Sequence, residues 1–230
     1  MIPCKNPIIL SIENSSVLCS ICINYYGNIF YKEILKDRSS KFILKMINEI
    51  LKDNKISYFD IDALSIGIGP GSFTGIKIAT SVIQGLSIGW KLPIIEISSL
   101  LTLALEAYII HKEKFIFVSI DAKMNEVYYN TYSSINFKNA SVIEKIKNIN
   151  EIKIKNLETI CVGDGCYKYR NILLENNKGI KIIENIKYPK ASYNNKLAIE
   201  KFKNNNIANP IILIPKYIKK NTYKTKKNKN

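Results

Sequence analysis

The chain has 230 residues, 47% of them hydrophobic and 23% charged, so it can bury a core and lacks the composition of a disordered protein. Its formal net charge of +15 favours nucleic acid as a partner. However, Arg38 and Arg170 are the only arginines, and a composition rich in Lys, Ile and Asn also arises from A/T-rich codons without selection for a partner.

The excess positive charge lies in the second half of the chain and continues into a lysine-rich tail, residues 216–230. Such a tail is typical of a solvated segment, and direct contact with RNA phosphates is the alternative. No signal peptide precedes the cysteines, and the apolar stretch 97–110 contains Glu106 and is too short to span a bilayer. We therefore expect a cytoplasmic protein with reduced thiols and no membrane contact.

The first half of the chain predicts an antiparallel start followed by alternating helices and strands. Strands are expected at residues 7–12, 17–23, 29–34, 63–68 and 94–97. Helices are expected from Ser39 or Ser40 to about Asn54, over residues 76–90, and from Ser98 or Ser99 to about Ile110.

Strands restart near residue 113, which predicts a second lobe. Its strands are expected at residues 115–120, 127–132 and 159–162, and its helices at 167–175 and 192–204. The repetitive segments 135–158 and 176–190 allow no placement. This order of elements predicts an α/β protein with mixed sheets flanked by helices.

Cys19 and Cys22 have the spacing of a metal or redox pair, but they lie in a predicted strand. Side chains three positions apart on a strand point to opposite faces of the sheet, so the two sulfurs would not converge. We interpret both cysteines as buried, unreactive thiols.

Residues 69–75 form a glycine-rich connection between a predicted strand and a predicted helix. Such a connection can direct backbone N–H groups at a phosphate. A phosphate-binding P-loop has lysine directly after its last glycine, whereas here Ile76 follows Gly75 and Lys77 comes one residue late. We therefore favour a tight structural connection over a nucleotide site.

The helix that follows is apolar around most of its circumference. Ser81, Gly85 and Gly89 are spaced by four, so they form a strip that is almost free of side chains. Each glycine costs a helix up to about 1 kcal/mol relative to alanine. The strip therefore predicts close packing against a helix of another subunit.

The single histidine, His111, follows a predicted helix. One imidazole with scattered carboxylates predicts neither a metal site nor a Ser-His-Asp relay. Asp121, Glu126 and Asp164 lie at strand ends, where α/β proteins often place functional groups. We interpret these three residues as turn-forming acids.

Several blocks of the sequence resemble, in the same order, the TsaB family of tRNA threonylcarbamoyladenosine biosynthesis proteins. The two most specific blocks are residues 69–76, Gly-Pro-Gly-Ser-Phe-Thr-Gly-Ile, and residues 120–128, Ile-Asp-Ala-Lys-Met-Asn-Glu-Val-Tyr. Further matching blocks are residues 63–67, 84–86, 92–93, 98–100, 163–165 and 215–221. The resemblance covers nearly the whole chain.

The resemblance implies an actin-like, two-lobed fold of the sugar kinase and Hsp70 type. It implies a non-catalytic scaffold and activator subunit that has no cofactor of its own. Its expected partners are a catalytic threonylcarbamoyl transferase subunit with a His-x-x-x-His metal site and a small ATPase subunit, and the assembled complex uses ATP. The expected product is N6-threonylcarbamoyladenosine at position 37 of tRNAs that read codons starting with A, and this chain would meet tRNA through the complex.

In this family the helices of the first lobe pack against the partner in a helical bundle. The residues expected at that interface are Ile43, Met46, Ile47, Ile50, Ser72, Phe73, Thr74, Ile78, Ser81, Val82, Gly85 and Gly89. We divide the chain into an N-terminal lobe with the partner interface, 1–112, a C-terminal lobe, 113–215, and the basic tail, 216–230. Self-association of the chain without its partner is a further expectation.

Two positions depart from the patterns of the relatives. The wider superfamily ends its first strand with an aspartate that holds metal-bound phosphate, and this chain has Glu13 there. A histidine usually precedes the first helix, where this chain has Ser39. Both differences argue against independent ATP hydrolysis.

The alternatives to a partner subunit are a stand-alone actin-like ATPase or protease-like enzyme and a basic RNA-binding protein.

Overall fold

Two five-stranded mixed sheets form the framework of the computed structural model, which describes residues 6–35, 42–133, 144–156 and 158–204. The strands are β1 Ile9–Glu13, β2 Leu18–Tyr25, β3 Asn28–Leu35, β4 Ala63–Gly67, β5 Ile94–Ile97, β6 Phe115–Lys123, β7 Glu126–Ser133, β8 Lys145–Asn148, β9 Ile160–Val162 and β10 Lys181–Ile182. The helices are α1 Ile43–Asp53, α2 Phe73–Trp90, α3 Ser99–His111, α4 Asp164–Lys168, α5 Arg170–Asn176 and α6 Ala191–Lys203. Short 3-10 turns lie at Tyr58–Asp60 and Ile149–Glu151.

The two sheets have the same topology. The first runs β3-β2-β1-β4-β5, and the second runs β8-β7-β6-β9-β10. In each sheet a meander of three antiparallel strands is followed by two parallel strands. The predicted α/β class, with two lobes and mixed sheets, is confirmed.

The central strands are apolar because both faces of each sheet are covered. On the first sheet, Leu10 and Ile12 belong to the core beneath α1 and α2, and Ile9 packs on the opposite side with Ala198 of α6. On the second sheet, Val118 lies in the core with α3, and Phe117 lies in the core with α4 and α5. Because both faces of these strands are buried, their sequences are continuous apolar runs rather than alternations of apolar and polar residues.

Two helices pack on the sheet of the other predicted lobe, across the boundary at residue 112. α3 packs on the second sheet, with Leu100, Leu103 and Ala104 in that core. α6 returns to the first sheet, where Asn195 Nδ2 donates to the Ile9 carbonyl oxygen at 2.7 Å. The division into lobes is therefore corrected: α3 belongs to the second core and α6 to the first.

Most predicted elements are confirmed, with shifted ends. α2 begins three residues earlier than predicted, because the Ser72 hydroxyl accepts a hydrogen bond from the Gly75 N–H and caps the helix. The glycine-containing segment 163–165, which the sequence suggests as a turn, contains the start of α4. β8, β10 and both 3-10 turns were missed. Ser39, Ser40, the block at residues 215–221 and the tail at 216–230 lie outside the described residues.

Cys19 and Cys22 are both fully buried on β2, as the strand interpretation predicts. Burial raises the pKa of each thiol to about 12, which keeps both protonated and unreactive at neutral pH. Over the part of the chain that the structure describes, no helix is long and apolar enough to cross a membrane.

Candidate partner-binding face

The glycine-rich connection before α2 packs directly onto the turn that follows β1. A Cβ atom added at Gly67 would lie 1.9 Å from Glu13 Oε2. At Gly71 it would lie 2.1 Å from the Ser15 carbonyl oxygen, and at Gly75 it would lie 2.1 Å from that of Asn14. These three glycines are therefore required because another part of the same chain occupies the space of their side chains.

Hydrogen bonds hold the connection and the β1–β2 turn together. The Ser72 N–H donates to the Ser15 carbonyl at 2.6 Å, and Asn14 Nδ2 donates to the Gly75 carbonyl at 2.9 Å. The Gly75 N–H is used by the Ser72 cap. Two backbone donors of the connection, the N–H groups of Ser72 and Gly75, are thus engaged within the chain, which supports the structural interpretation of this motif.

Glu13 occupies the space above Gly67 at the end of β1. Its Oε1 accepts the Ser15 N–H at 2.9 Å, and the Ser99 hydroxyl lies 3.2 Å from its Oε2. The side chain is fully buried. Burial raises the pKa of this carboxyl, and the hydrogen bonds from Ser15 and Ser99 oppose the increase without cancelling it. Glu13 thus joins β1, β4 and the start of α3 rather than facing an open phosphate site.

We predict that the stability of the Glu13→Gln variant, measured relative to that of the wild type, increases as pH rises. The raised folded-state pKa means that the protonated carboxyl is favoured in the fold, so its contribution is full at low pH. The wild type loses that contribution as pH rises from the glutamate pKa of the unfolded chain, about 4.3, through the pKa of the folded protein. The glutamine variant does not, because glutamine does not titrate. Melting temperatures of both proteins from pH 4 to 8 measure the difference.

The exposed acid Glu175 provides the control, since Glu175→Gln removes a carboxylate elsewhere. A difference between Glu13→Gln and wild type that stays constant across this pH range would contradict the prediction.

The outer face of α2 is exposed along its whole length. Phe73 is 51% exposed and Ile88 is 66% exposed, and Ser81, Gly85 and Gly89 on the same helix are also open to solvent. A Cβ atom at Gly85 or Gly89 would meet nothing within 4 Å. The small-residue strip is therefore not explained by packing among the described residues of this chain.

The other residues predicted around α2 also lie on or beside this face. Ser72 and Thr74 are exposed, and Ile78 and Val82 are half-buried. Lys77 is exposed, with its Nζ 4.2 Å from the centre of the Phe73 ring. The structure thus brings the eight residues predicted from position 72 onward onto one helix and its cap.

The four residues predicted on α1 are corrected. Ile43, Met46, Ile47 and Ile50 are all buried in the core beneath the first sheet, so a partner cannot reach them. The apolar stripe of α1 is the stripe that packs on this chain's own sheet. The accessible residues of α1 are others, among them Leu44, which is exposed.

An aromatic cluster at the end of α2 was not predicted. The rings of Tyr58 and Trp90 stack with centroids 5.6 Å apart, and the ring of Phe59 lies 4.1 Å from that of Tyr58. Phe59 is 82% exposed. The signal in the sequence is a pair of aromatic residues in a polar connection, directly after a helix. With the outer side of α2, these rings complete a surface that we call the α2 face.

The sequence-predicted polar residues form no common site. His111, expected just after the third helix, is the last residue of α3. Asp121 accepts the Lys123 N–H at 3.0 Å and shapes a local turn, as interpreted. Asp164 instead is the first residue of α4 and accepts the Asp121 N–H at 3.1 Å, so it joins α4 to β6. Within the described ranges, no three His, Cys, Asp or Glu residues are grouped as metal ligands.

Comparison with protein families gives a match over residues 29–227 to the family described as TsaD, tRNA N6-adenosine threonylcarbamoyltransferase. The chain is similar to tRNA threonylcarbamoyladenosine biosynthesis proteins TsaB. The protein from Haemophilus influenzae is 39% identical over 126 residues, 54% of this chain and 53% of that relative. The protein from Buchnera aphidicola subsp. Schizaphis graminum is 36% identical over 171 residues, 71% of this chain and 81% of that relative. The match thus spans about half the length of the first relative and most of the second.

Solved structures show the same fold. The structure described as YeaZ from Pseudomonas aeruginosa superposes with a TM-score of 0.83 at 22% identity, covering 92% of this chain and all of that one. A second structure, described as an uncharacterized protein with similarity to peptidase YEAZ from the same organism, gives a TM-score of 0.81 at 22% identity, covering 93% of this chain. The expected actin-like, two-lobed architecture is confirmed.

Proposed function

We propose, because the chain belongs to the TsaB family of tRNA threonylcarbamoyladenosine biosynthesis proteins, that it is the non-catalytic subunit of the complex that modifies adenosine 37. In this role it acts in the cytoplasm as scaffold and activator of a catalytic transferase subunit. The substrates of the complex are tRNAs that read codons starting with A.

The observation that carries the proposal is the α2 face. It combines exposed apolar side chains, Phe73 and Ile88, with glycines whose Cβ positions are open. A helix that is apolar on its solvent side and lined with small residues is suited to close packing against a second helix. Exposed aromatic rings such as Phe59 are enriched at the centres of protein interfaces.

The residues of this chain support the proposed non-catalytic role. The resemblance to the TsaB family implies a transferase subunit with a His-x-x-x-His metal motif. His111 is the only histidine of this chain. The proposal therefore assigns the metal site to the partner. Glu13 and the β1–β2 turn fill the space beside the glycine-rich connection, which supports the assignment of ATP use to the assembled complex and its small ATPase subunit.

The test is complex formation with the transferase subunit, followed by size exclusion with light scattering at micromolar concentration. A stable complex with one copy of each chain, together with tRNA modification that needs both, is the expected result. Modification or ATP hydrolysis by this chain alone would favour the stand-alone enzyme and overturn the proposal.

A homodimer is a second use of the same face. Because a two-fold interface places one patch against itself, the strip around Gly85 suits a second copy as well as a partner helix. We expect the free chain to dimerise and the transferase subunit to displace the second copy. Light scattering of the chain before and after addition of the transferase subunit measures this exchange.

A further inference from the structure

The tip of the β6–β7 hairpin has an unusual backbone. Lys123, Met124 and Asn125 are consecutive residues with positive φ, at 65°, 56° and 58°. This left-handed conformation is unfavourable for residues with side chains, and glycine would adopt it more readily. The tip is held by the Ile149 N–H, which donates to the Asn125 carbonyl at 2.8 Å. Met124 and Asn125 form the two-residue turn of this hairpin, whose usual geometry has positive φ at both positions, and Lys123 adds a third positive φ where the strand pairing shifts.

The turn brings the ammonium group of Lys123 back onto the carboxylate of Asp121. Lys123 Nζ lies 3.0 Å from Asp121 Oδ2, and Lys168 Nζ of α4 lies 2.8 Å from the same oxygen. The Asp121 side chain is only 5% exposed, whereas those of Lys123 and Lys168 are 80% and 47% exposed. One buried carboxylate thus positions two solvent-facing ammonium groups next to each other.

The carboxylate keeps its charge. Burial alone would raise the pKa of Asp121, but hydrogen bonds from Lys168 and Lys123 outweigh burial and hold the pKa below its ordinary value. The two lysines are therefore anchored at neutral pH. Their two positive charges exceed the single negative charge of Asp121, so the cluster keeps a net charge of +1.

A third lysine extends the positive surface along α4. Lys187 Nζ lies 3.3 Å from the ring centre of Tyr167, the residue before Lys168. The Gly163 N–H donates to the Ile186 carbonyl at 2.8 Å, which fixes the segment of Lys187 beside the start of α4. Tyr167 is itself exposed. Lys123, Lys168, Lys187 and Tyr167 together form what we call the lysine patch.

We propose that the lysine patch binds the phosphate backbone of tRNA. Anchored ammonium groups suit a nucleic-acid strand because lysines neutralise phosphates. The Tyr167 ring contributes by holding the Lys187 ammonium group over its face. Lys123 and Lys168 are exposed and Lys187 is half-buried. The three lysines lie on a hairpin tip, a helix and a loop, an arrangement that suits an extended polymer better than a single enclosed nucleotide. The identity of the RNA as tRNA rests on the proposed function.

The experiment replaces the three lysines by glutamine, Lys123→Gln, Lys168→Gln and Lys187→Gln, in the full chain. Glutamine retains a hydrogen-bond donor for Asp121 and removes the charge. The matched control is Lys153→Gln, Lys178→Gln and Lys181→Gln, which removes the same charge from exposed positions of the same lobe. Binding of unmodified tRNA is measured for each protein over a series of salt concentrations, with circular dichroism to verify folding.

We expect the patch variant to bind tRNA about tenfold more weakly, with a salt slope smaller by about 3, since each phosphate contact contributes about 1. The control variant should retain the affinity of the wild type. Equal losses in both variants, or unchanged affinity in the patch variant, would overturn the proposal. A competition experiment gives a further contradicting outcome. If ATP displaces tRNA from the wild type and this displacement is lost in the patch variant, the patch is a nucleotide site.

Co-purification of the patch variant with the transferase subunit separates this proposal from the proposed function. We expect the complex to form normally, because the lysine patch lies on the second lobe and the α2 face on the first. Weak tRNA binding by an intact complex would support the patch. Failure of the wild type to form the complex would contradict the proposed function and leave the RNA comparison valid.

Discussion

Gly85→Leu is expected to abolish the complex with the transferase subunit while the chain itself stays folded. The free protein tolerates a side chain at this position, since a Cβ atom at Gly85 would meet nothing within 4 Å. In the complex, a leucine would hold the two helices apart at their closest approach. We expect affinity to fall by about 100-fold or more, which corresponds to about 2.8 kcal/mol of binding free energy.

Gly85→Ala is the matched control for this substitution. Alanine adds one methyl group, which small-residue helix contacts tolerate, so the complex should persist. Size exclusion with light scattering compares the wild type and both variants, and thermal melting by circular dichroism verifies the fold. Loss of folding in Gly85→Leu would show that the α2 face is core, and full binding by Gly85→Leu would place the interface elsewhere.

Gly75→Ala is expected to destabilise the protein although it lies on the same helix. A Cβ atom at Gly75 would lie 2.1 Å from the Asn14 carbonyl oxygen, a backbone atom that cannot rotate away. The turn after β1 or the start of α2 must then move, and the Asn14 side-chain bond to the Gly75 carbonyl moves with it. Overpacking of this kind costs about 3 kcal/mol, which lowers the melting temperature of a chain this size by roughly 6–12 °C.

Gly85→Ala serves again as the comparison, because both substitutions put the same residue into the same helix. At the open position, alanine should stabilise α2 by up to about 1 kcal/mol through its higher helix propensity. The two variants should therefore shift the melting temperature in opposite directions. Equal shifts would mean that helix propensity alone determines the effect and that the contact with the β1–β2 turn is unimportant.

These two glycines show how the connection and the α2 face depend on each other. Gly75 is needed inside the protein, where the β1–β2 turn fixes the start of α2, and Gly85 is open on the outside. The connection sets the position of the helix, and the outer side of the helix stays open at Gly85. A nucleotide is not needed to explain the glycine-rich motif.

The local order of residues was enough to predict most strands and helices, because hydrophobic period and turn residues act over a few positions. It also indicated the α2 strip, since glycines spaced by four on an apolar helix are costly without a close neighbour. The spacing of Cys19 and Cys22 on a strand was sufficient to predict that the two thiols do not form a pair.

The tertiary structure alone decided which apolar surface is inside. The stripe of α1 around Ile47 and the exposed side of α2 both read as apolar, and only the packing on the first sheet shows that the α1 stripe is buried. The return of α6 to the first sheet depends on contacts between residues far apart in the chain, such as Asn195 with Ile9, 186 positions away. Close approaches such as Glu13 to Gly67 and Lys168 to Asp121 are likewise set by chain segments that meet only after folding, so no local pattern encodes them.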